Sequence, residues 1–311
     1  MCKRRVLFGA GHGAERIISF SSNKVVAIID NNKSGFFHGV PIISFDEYLR
    51  DYRDITIQIA STKYSNVIEK QLISKGIANY EIPLEIFKDS MVSHDDDISH
   101  ENWADYLSGL YNKPGMKVLE IGSRCVTGTI LREKFNKADY VGFDYYPGNN
   151  VDVVGDVHQL GKYFDQKFDL IYSSAVFEHL AMPWIASLEM IKLLKLGGNV
   201  FVESHYSFSS HERPWHFFQY SENALNVLFP EIFGIKCKKK GCSNLIKGKF
   251  SEESAEYLRG RLVDGLYCHS EFLGEKITEV SNDKLDWRKI TLEDVANGTK
   301  YPEPDSDTST I

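Results

Sequence analysis

A glycine-bearing turn near the start of the chain has the residue types and spacing of a nucleotide site. The stretch "GAGHGA" follows an apolar run and places Gly9, Gly11 and Ala14 in a G-x-G-x-x-A pattern. Glycines at this spacing let the backbone approach a pyrophosphate at a helix N-terminus. Asp30 ends the next apolar run, where a carboxylate can accept hydrogen bonds from ribose hydroxyls. This turn therefore predicts a nucleotide-type ligand.

A second glycine-bearing turn, "GSRCVTG" at 122–128, follows the apolar run "VLEI". Its glycines, Gly122 and Gly128, do not have the pyrophosphate spacing. Asp144 nevertheless ends the following apolar run, where its carboxylate can accept both hydroxyls of a ribose. The second turn therefore predicts contact with a ribose without a tightly held pyrophosphate.

Residues that can accept a proton follow the later strands of this second region. Glu178 and His179 come after "FDLIYSS", His205 ends "NVFVESH", and His211 and His216 lie in the loop beyond it. The carboxyl ends of parallel strands form the ligand-facing crevice of such folds. His179 and His205 are the first choices for a general base or for orienting a substrate, with His216 and Glu178 beside them. Packed structural histidines are the alternative that the sequence leaves open.

The first of two regions, residues 1–88, alternates between strand-like and helical segments. Predicted strands are "RVLFGA", "KVVAIID" and "ITIQIAS"; predicted helices are "AERIISF", "FDEYLRDY" and "NVIEKQLISKG". This order predicts a small α/β domain with a parallel sheet and helices on its faces.

Residues 89–101 are predicted to be a linker, because the segment is polar and has no periodicity. Its acidic run and its two histidines, His94 and His100, suggest a metal site, but we interpret them as part of a solvated connector. Residues 296–311 are rich in Pro, Asp, Ser and Thr and are predicted to be a disordered tail.

The second domain is predicted over 102–295. Its strands are "KVLEIG", "YVGFD", "FDLIYSS" and "NVFVESH", with helices beginning near Thr127 and Pro183 and a helix N-cap at Ser221. "FGIKCKKK" and "LYCHSEFLG" are predicted to be the antiparallel strands that complete a seven-stranded sheet. The basic run in the first of these is interpreted as a solvated strand edge.

Composition excludes several classes of partner. The chain has 311 residues, of which 42% are apolar, and a formal charge of −7, so no global positive field favours nucleic acid or an anionic membrane. A charged-then-apolar leader and a run of about 18 apolar residues are both missing, so we expect a cytoplasmic protein.

The cysteines give no sign of a disulfide framework or a metal site. There are five of them, an odd number at irregular spacing, and we expect reduced thiols. Cys237, Cys242, Cys268 and His269 do not match a common zinc pattern. The sequence therefore assigns no metal ligands, although a metal that bridges two hydroxyls of a substrate is left open.

The motifs of the second domain resemble, in order and spacing, those of class I S-adenosylmethionine-dependent methyltransferases of the type 11 branch. The resemblance covers roughly residues 100–235 and rests on "VLEIGSRCVTG", "YVGFD", "VVGDVHQL", "FDLIYSSAVFEHL", "MPWIASLEMIKLLKLGGNVFVE" and "HERPWHFFQYSENAL". It implies S-adenosylmethionine as cofactor and S-adenosylhomocysteine as product. The loop departs from the family's usual D/E-x-G-x-G-x-G form, which leaves its contacts open.

The resemblance also implies which residues hold the cofactor. Methionine-side contacts fall on Glu120 and Gly122, with Ser123 and Gly128 in the same loop, and the ribose falls on Asp144. Adenine contacts fall on Asp156 and the Val157 amide, and Ser173 and Ser174 lie beside the methyl donor. Carboxylates at these places suit the ammonium and sulfonium charges of the ligand.

The first domain resembles the nucleotide-sugar-binding N-terminal domain of bacterial sugar acyltransferases. The shared features are "GAGHGAERI", "AIIDNN", the G-V-P-I-I of 39–43 and "IQIAS". The resemblance implies a nucleotide-sugar site lined by Gly9, Gly11, His12, Gly13 and Asp30. A purely structural or oligomerising domain is the alternative.

Together the two resemblances imply O-methylation of a nucleotide-linked sugar or glycan precursor in a surface polysaccharide pathway. Arg213 and Trp215 are then candidate contacts to the substrate's charge and sugar ring. Two alternatives stay open: an NAD-dependent oxidoreductase or epimerase-like enzyme that uses Gly9 to Asp30, and a non-catalytic, cofactor-binding regulator. The acceptor atom, the sugar and homo-oligomerisation are also left open.

Overall fold

A computed structural model describes residues 3–20, 24–89, 91–95, 98–126, 128 and 130–295. The chain divides into two units. The first comprises Met1–Val92 and Leu245–Tyr267, and the second comprises Ser93–Asn244 and Cys268–Ile311. The predicted tail, 296–311, lies outside the described residues.

The first unit is built from short, largely apolar strands that alternate with helices. Its sheet has the order β3-β4-β2-β1-β5-β6, and β3 is antiparallel to β4. The elements are β1 (Arg4–Phe8), α1 (His12–Phe20), β2 (Lys24–Ile29), β3 (Gly35–Phe37), β4 (Val40–Ile43), α2 (Phe45–Asp51), β5 (Ile57–Ile59), α3 (Ser65–Ser74) and β6 (Tyr80–Glu81), with a 3-10 helix at Leu84–Phe87.

Alternation along β1 and β2 divides the core of the first unit between the two faces of its sheet. Val6 and Phe8 pack with Ile29 on one face, whereas Leu7 packs with Ile28 on the other. Since both faces are covered, these strands have the near-continuous apolar runs that are typical of a parallel sheet.

The second unit contains a seven-stranded sheet that is parallel from β7 to β11. Its elements up to Leu245 are α4 (Trp103–Tyr111), β7 (Lys117–Ile121), β8 (Asp139–Asp144), β9 (Val153–Val154), β10 (Phe168–Ser174), α5 (Pro183–Leu193), β11 (Leu194–His205), α6 (Glu222–Leu228) and β12 (Ile235–Leu245). Short 3-10 helices lie at Leu131–Phe135, Val157–Lys162, Phe177–His179 and Glu231–Phe233.

Two short strands, β13 (Gly248–Lys249) and β14 (Leu262–Val263), pair within Leu245–Tyr267. The sequence assigned this segment to the second domain, whereas the structure groups it with the first unit. Leu245 and Leu262 pack against a core cluster of that unit, and the Gly265 amide donates to the Phe87 carbonyl at 2.7 Å. These long-range contacts have no local sequence signal.

The chain then returns to the second unit with β15 (Tyr267–Lys276), a 3-10 helix at Trp287–Lys289 and α7 (Leu292–Val295). The completed sheet has the order β12-β15-β11-β10-β7-β8-β9, with β15 antiparallel to β11. The predicted α/β class, with two Rossmann-like units and a seven-stranded second sheet, is confirmed. The basic run 235–242 lies on β12, which is an edge strand, as predicted.

Helices cover both faces of the second sheet. Met190 of α5 and Leu225 of α6 pack with Val202, whereas Trp103 and Leu107 of α4 pack with Phe201 on the opposite face. α5 begins at the predicted proline, and the side chain of the predicted N-cap, Ser221, accepts a hydrogen bond from the Ala224 amide at 3.1 Å.

The helix predicted near Thr127 is different in the structure. Thr127 itself lies outside the described residues, and the described stretch beyond it forms only the 3-10 helix Leu131–Phe135. Its end residues, Leu131 and Phe135, are buried, so the short helix still anchors the chain to the sheet.

None of the helices in the described part of the chain is long and apolar enough to cross a membrane.

Gly13 sets how closely α1 packs on the first sheet, which gives a prediction. A Cβ at Gly13 would lie 2.2 Å from the Ala60 carbonyl oxygen, whereas a Cβ at Gly11 would have no atom within 4 Å. We expect Gly13→Ala to lower the free energy of unfolding by about 1–3 kcal/mol, because the helix must shift outward. Gly11→Ala is the matched control and should change it little; equal melting temperatures for the two variants would contradict this account.

Candidate active site

The carboxyl ends of the parallel strands in the second unit bring the predicted cofactor residues to one edge of the sheet. β7 pairs with β8 and β10, and β8 pairs with β9, all in parallel. Gly122 therefore follows one strand, Asp144 ends its neighbour, and Asp156 follows the next. Ser173 and Ser174 end β10 on the other side of β7.

The turn after β7 depends on glycine. Gly122 has a φ of +81°, and a Cβ there would lie 2.1 Å from a methyl carbon of Val176. The amides of Gly122 and Ser123 both donate to the Phe143 carbonyl, at 2.8 and 3.1 Å. The turn is thus fixed against β8, and a larger residue at Gly122 would collide with the chain that follows β10. Gly128 also has a positive φ, of +88°.

Glu120 is a largely buried carboxyl with two side-chain donors. Tyr140 and Asn150 both donate to its Oε2, and Asn150 also donates to the Ser123 carbonyl at 2.9 Å. Burial raises the pKa of Glu120 to about 7, although Tyr140 and Asn150 act in the opposite direction. The predicted methionine-side acid is therefore close to its point of titration at neutral pH.

Asp144 is held by the backbone on both sides of the site. The Arg124 amide donates to its Oδ2 at 3.1 Å, and the Tyr146 amide donates to its Oδ1 at 2.9 Å. The Arg124 guanidinium lies alongside, with Nε 3.5 Å from Oδ1. The carboxylate is thus oriented in advance at the predicted ribose position.

Asp156 caps the 3-10 helix that begins at Val157. Its Oδ1 accepts hydrogen bonds from the His158 amide at 2.9 Å and from the His158 ring at 2.7 Å. Burial would raise the pKa of Asp156, but these bonds hold it below its ordinary value. The predicted adenine acid is therefore ionised and also has a structural role.

Three serines of the predicted cofactor edge differ in their partners. The hydroxyls of Ser123 and Ser173 are buried without a hydrogen-bond partner among the described residues. The Ser174 hydroxyl donates to Oε1 of Glu203 at 2.7 Å. Buried hydroxyls without a partner are uncommon, so Ser123 and Ser173 have donor and acceptor capacity for a polar ligand.

Beyond β10 the chain forms what we call the Glu178 cluster: Glu178, His179, His205, His211 and His216. Glu178 is 0% exposed, and its Oε2 accepts a hydrogen bond from Ser204 at 2.7 Å. Its Oε1 forms an ion pair with Nδ1 of His205 at 2.9 Å, although the contact does not have hydrogen-bond angles. Burial would raise the pKa of Glu178, but His205 and Ser204 hold it below its ordinary value.

The hydrogen bonds of His179 and His211 assign the proton positions on their rings. Nδ1 of His179 donates to the Trp215 carbonyl at 2.7 Å, and Nδ1 of His211 donates to the Ser209 carbonyl at 3.0 Å. In each neutral ring Nε2 is then left with a lone pair. The two Nε2 atoms face each other at 3.2 Å.

His216 has its lone pair already in use. Its Nδ1 accepts the His211 amide at 3.2 Å, and burial together with the neighbouring histidines lowers its pKa. In the same loop, Trp215 has a 62% exposed side chain, and Nε of Arg213 donates to the Ser210 hydroxyl at 2.7 Å. The predicted substrate residues Arg213 and Trp215 thus lie in the same loop as His211 and His216 of the Glu178 cluster.

A neighbouring group, which we call the Glu203 cluster, was not found from the sequence. It consists of His100, Glu203 and His269. Nδ1 of His100 donates to Oε2 of Glu203 at 2.9 Å and so raises the pKa of His100, while the rings of His100 and His269 stack at 3.9 Å. His100 belongs to the segment that is predicted to be a solvated linker. β11 and β15 pair so that His205 lies opposite His269. Predicting the register of these two antiparallel strands would have brought His269 to the same end of the sheet as His205.

The predicted residues of the first unit surround the turn after β1. The Asp30 carboxylate accepts the Ala10 amide at 2.8 Å and the Asn32 and Lys33 amides at 2.9 and 3.0 Å. Burial would raise the pKa of Asp30, but these amides hold it below its ordinary value. His12 begins α1 with an exposed ring 3.2 Å from Glu15. Asp30 therefore closes the glycine turn.

Comparison with known families assigns the middle of the chain. Residues 96–231 match the model of a family described as a methyltransferase domain. No curated protein matches the chain.

Solved structures of methyltransferases are similar to part of the chain at low identity. A putative methyltransferase from Bacillus halodurans is 14% identical, with a TM-score of 0.41, over 57% of this chain and 100% of that one. An S-adenosylmethionine-dependent methyltransferase from Clostridium acetobutylicum is 11% identical, with a TM-score of 0.39, over 58% and 92%. The N-methyltransferase NodS from Bradyrhizobium japonicum, solved with S-adenosylhomocysteine, is 16% identical, with a TM-score of 0.38, over 59% and 90%.

The family match covers the glycine turn, the ends of β8 and β10, and the Glu178 cluster. Residues 96–231 therefore match a methyltransferase domain, in agreement with the predicted S-adenosylmethionine-dependent methyltransferase.

Proposed function

We propose that this enzyme transfers a methyl group from S-adenosylmethionine to a hydroxyl of a sugar, carried as a nucleotide-linked sugar or glycan precursor of a surface polysaccharide. The observation that carries the choice of a hydroxyl is the Glu178 cluster. It places imidazole lone pairs beside the end of β10, and a hydroxyl acceptor needs a group that takes its proton. An amine that reacts as its free base would not require one.

The residues at the sheet edge fit the cofactor. Asp144 would accept the ribose hydroxyls, Glu120 would face the methionyl ammonium, and Asp156 with the Val157 amide would bind the adenine. The unpartnered hydroxyls of Ser123 and Ser173 support a polar ligand here. When bound, the cofactor supplies an electrophilic methyl group on a sulfonium.

His179 is the proposed base. Its Nδ1–H is fixed on the Trp215 carbonyl, so Nε2 is the atom that accepts the hydroxyl proton. His179 and His216 both contact His211: Nε2 of His179 lies 3.2 Å from Nε2 of His211, whereas the lone pair of His216 accepts the His211 backbone amide. His216 is the less suitable choice, because its partner is a backbone N–H donor and the partner of His179 is a second lone pair. The exposed Trp215 would stack on the sugar ring, and Arg213 would pair with a phosphate or carboxylate of the substrate.

The ribose assignment predicts the effect of Asp144→Ala. Loss of charge-assisted hydrogen bonds should weaken S-adenosylhomocysteine binding by about 10- to 150-fold, as measured by titration calorimetry. Asp139→Ala is the matched control, because Asp139 is exposed at the opposite end of the same strand. Unfolding curves of both variants separate binding from stability, and unchanged affinity in a folded Asp144→Ala chain would remove Asp144 from the site.

The base assignment predicts the effect of His179→Ala. Turnover, measured as S-adenosylhomocysteine release with a panel of nucleotide-sugars, should fall by about 10²–10⁴-fold, because the acceptor keeps its proton. Cofactor affinity should stay the same. His38→Ala removes a histidine of the first unit and serves as the control. Near-full turnover of His179→Ala would place the base elsewhere.

For the first unit we propose a nucleotide-sugar site at the turn that contains Gly9, Gly11 and Gly13. The open space at Gly11 and the first turn of α1, with His12, support the approach of a phosphate. Gly11→Asp adds a negative charge there and should abolish nucleotide-sugar binding by the full chain in calorimetry. Gly109→Asp, also in open space but in the second unit, is the control. Binding of NAD alone would favour the oxidoreductase-type alternative, and no binding would leave a structural unit.

A further inference from the structure

We propose that Glu178, His205 and His211 bind one divalent metal ion of the zinc type. The three residues come from the 3-10 helix after β10, the end of β11 and the following loop. Each offers one ligand atom, and these atoms all lie within 4.8 Å of one another. A carboxylate with two imidazoles is a ligand set that zinc and neighbouring transition metals use, unlike the all-oxygen sets of magnesium and calcium.

Two buried atoms of this set are paired in strained geometry. Oε1 of Glu178 and Nδ1 of His205 form an ion pair at 2.9 Å, but the contact does not have hydrogen-bond angles. A buried pair without good hydrogen-bond geometry recovers only part of the free energy lost with its water. In tetrahedral coordination, two zinc ligands that are each about 2.0–2.2 Å from the metal lie roughly 3.4 Å apart. Widening the 2.9 Å Glu178–His205 pair by about half an ångström would therefore admit an ion between the two atoms.

The third ligand has its lone pair fixed by the backbone. His211 donates its Nδ1–H to the Ser209 carbonyl, which leaves Nε2 free. This arrangement is usual for metal-binding histidines, whose second nitrogen donates to a carbonyl or carboxylate. Nε2 of His211 also faces the lone pair of His179 at 3.2 Å. Two lone pairs at that distance repel each other unless a proton or a cation reduces the repulsion.

Further contacts hold the three side chains in place. The Ser204 hydroxyl donates to the other carboxylate oxygen of Glu178. The His205 ring stacks on Phe208 at 4.6 Å, and His216 accepts the His211 amide. Three protein ligands leave coordination positions open, and an oxygen of the acceptor would suit one of them. Metal binding itself does not depend on the proposed methyl transfer.

The Glu203 cluster is the competing position, and its ligand atoms are already in use. Ser174 and His100 donate to the two oxygens of Glu203. Nδ1 of His269 pairs with the Asn244 amide at 3.0 Å. An ion there would have to displace these hydrogen bonds, whereas an ion at Glu178, His205 and His211 would replace only the Glu178–His205 pair and the contact between the Nε2 atoms of His211 and His179.

The experiment is metal titration of the full-length chain after chelator treatment and dialysis. Competition with a chromogenic chelator gives the affinity and stoichiometry for Zn²⁺, and Co²⁺ gives a visible spectrum. We expect one ion per chain and a Co²⁺ spectrum without the intense thiolate charge-transfer band that a cysteine site would give. His211→Ala and the near-isosteric Glu178→Gln should each weaken binding by at least about tenfold.

His38→Ala and His269→Ala are the controls, and both should retain the ion with unchanged affinity. His211 lies in a loop, so its variant is expected to fold even if the change at the buried Glu178 reduces stability. Metal binding that survives both His211→Ala and Glu178→Gln, or that is lost in His269→Ala, overturns the proposal. Failure of the wild-type chain to bind Zn²⁺ or Co²⁺ overturns it as well. None of these readouts requires methyl transfer, so they stay separate from the test of the proposed function.

Discussion

The burial of three carboxyl groups near the ends of the central strands is the constraint that organises the second unit. Glu178, Glu203 and Glu271 are each 3% exposed or less. A carboxylate taken out of water without partners costs several kcal/mol, so each needs a donor within reach. In every case the donor is a serine of a neighbouring strand: Ser204 for Glu178, Ser174 for Glu203 and Ser243 for Glu271. These serine–glutamate contacts also link β10 to β11 and β12 to β15.

The three acids differ in their pKa and in the partner of the carboxyl oxygen that the serine does not contact. Glu203 receives His100 on its second oxygen and is fully hydrogen-bonded. Burial raises the pKa of Glu271 to about 8, so its carboxyl is largely protonated near neutral pH. Burial would raise the pKa of Glu178, but His205 and Ser204 hold it below its ordinary value, and its second oxygen pairs with Nδ1 of His205 at 2.9 Å. Glu178 is therefore the ionised acid whose second oxygen has a histidine of the crevice as its partner.

The sequence predicted those parts of the fold and site whose signals are local. The apolar runs of β1, β2, β7, β8, β10 and β11 and the starts of α5 and α6 follow from periodicity, proline and capping. Asp144 could be placed at a strand end for the same reason, whereas Asp156 was identified through the resemblance to methyltransferases. The signals fail where a residue's partner is far away in the chain. Leu245–Tyr267 joins the first unit through tertiary packing, and His100 meets Glu203 across 103 positions of sequence.

The same difference explains why no metal ligands could be predicted from the sequence. Metal motifs are recognised when ligands recur at short spacing on one helix or hairpin. Here Glu178, His205 and His211 lie on three segments, and only the parallel pairing of β10 with β11 brings the ends of those strands together. The histidines could be identified as candidates for proton transfer, since each follows a strand that ends at the crevice. Their lone pairs became known only from the carbonyls of Trp215 and Ser209, which fix Nδ1–H on His179 and His211 and leave both Nε2 atoms facing the same space.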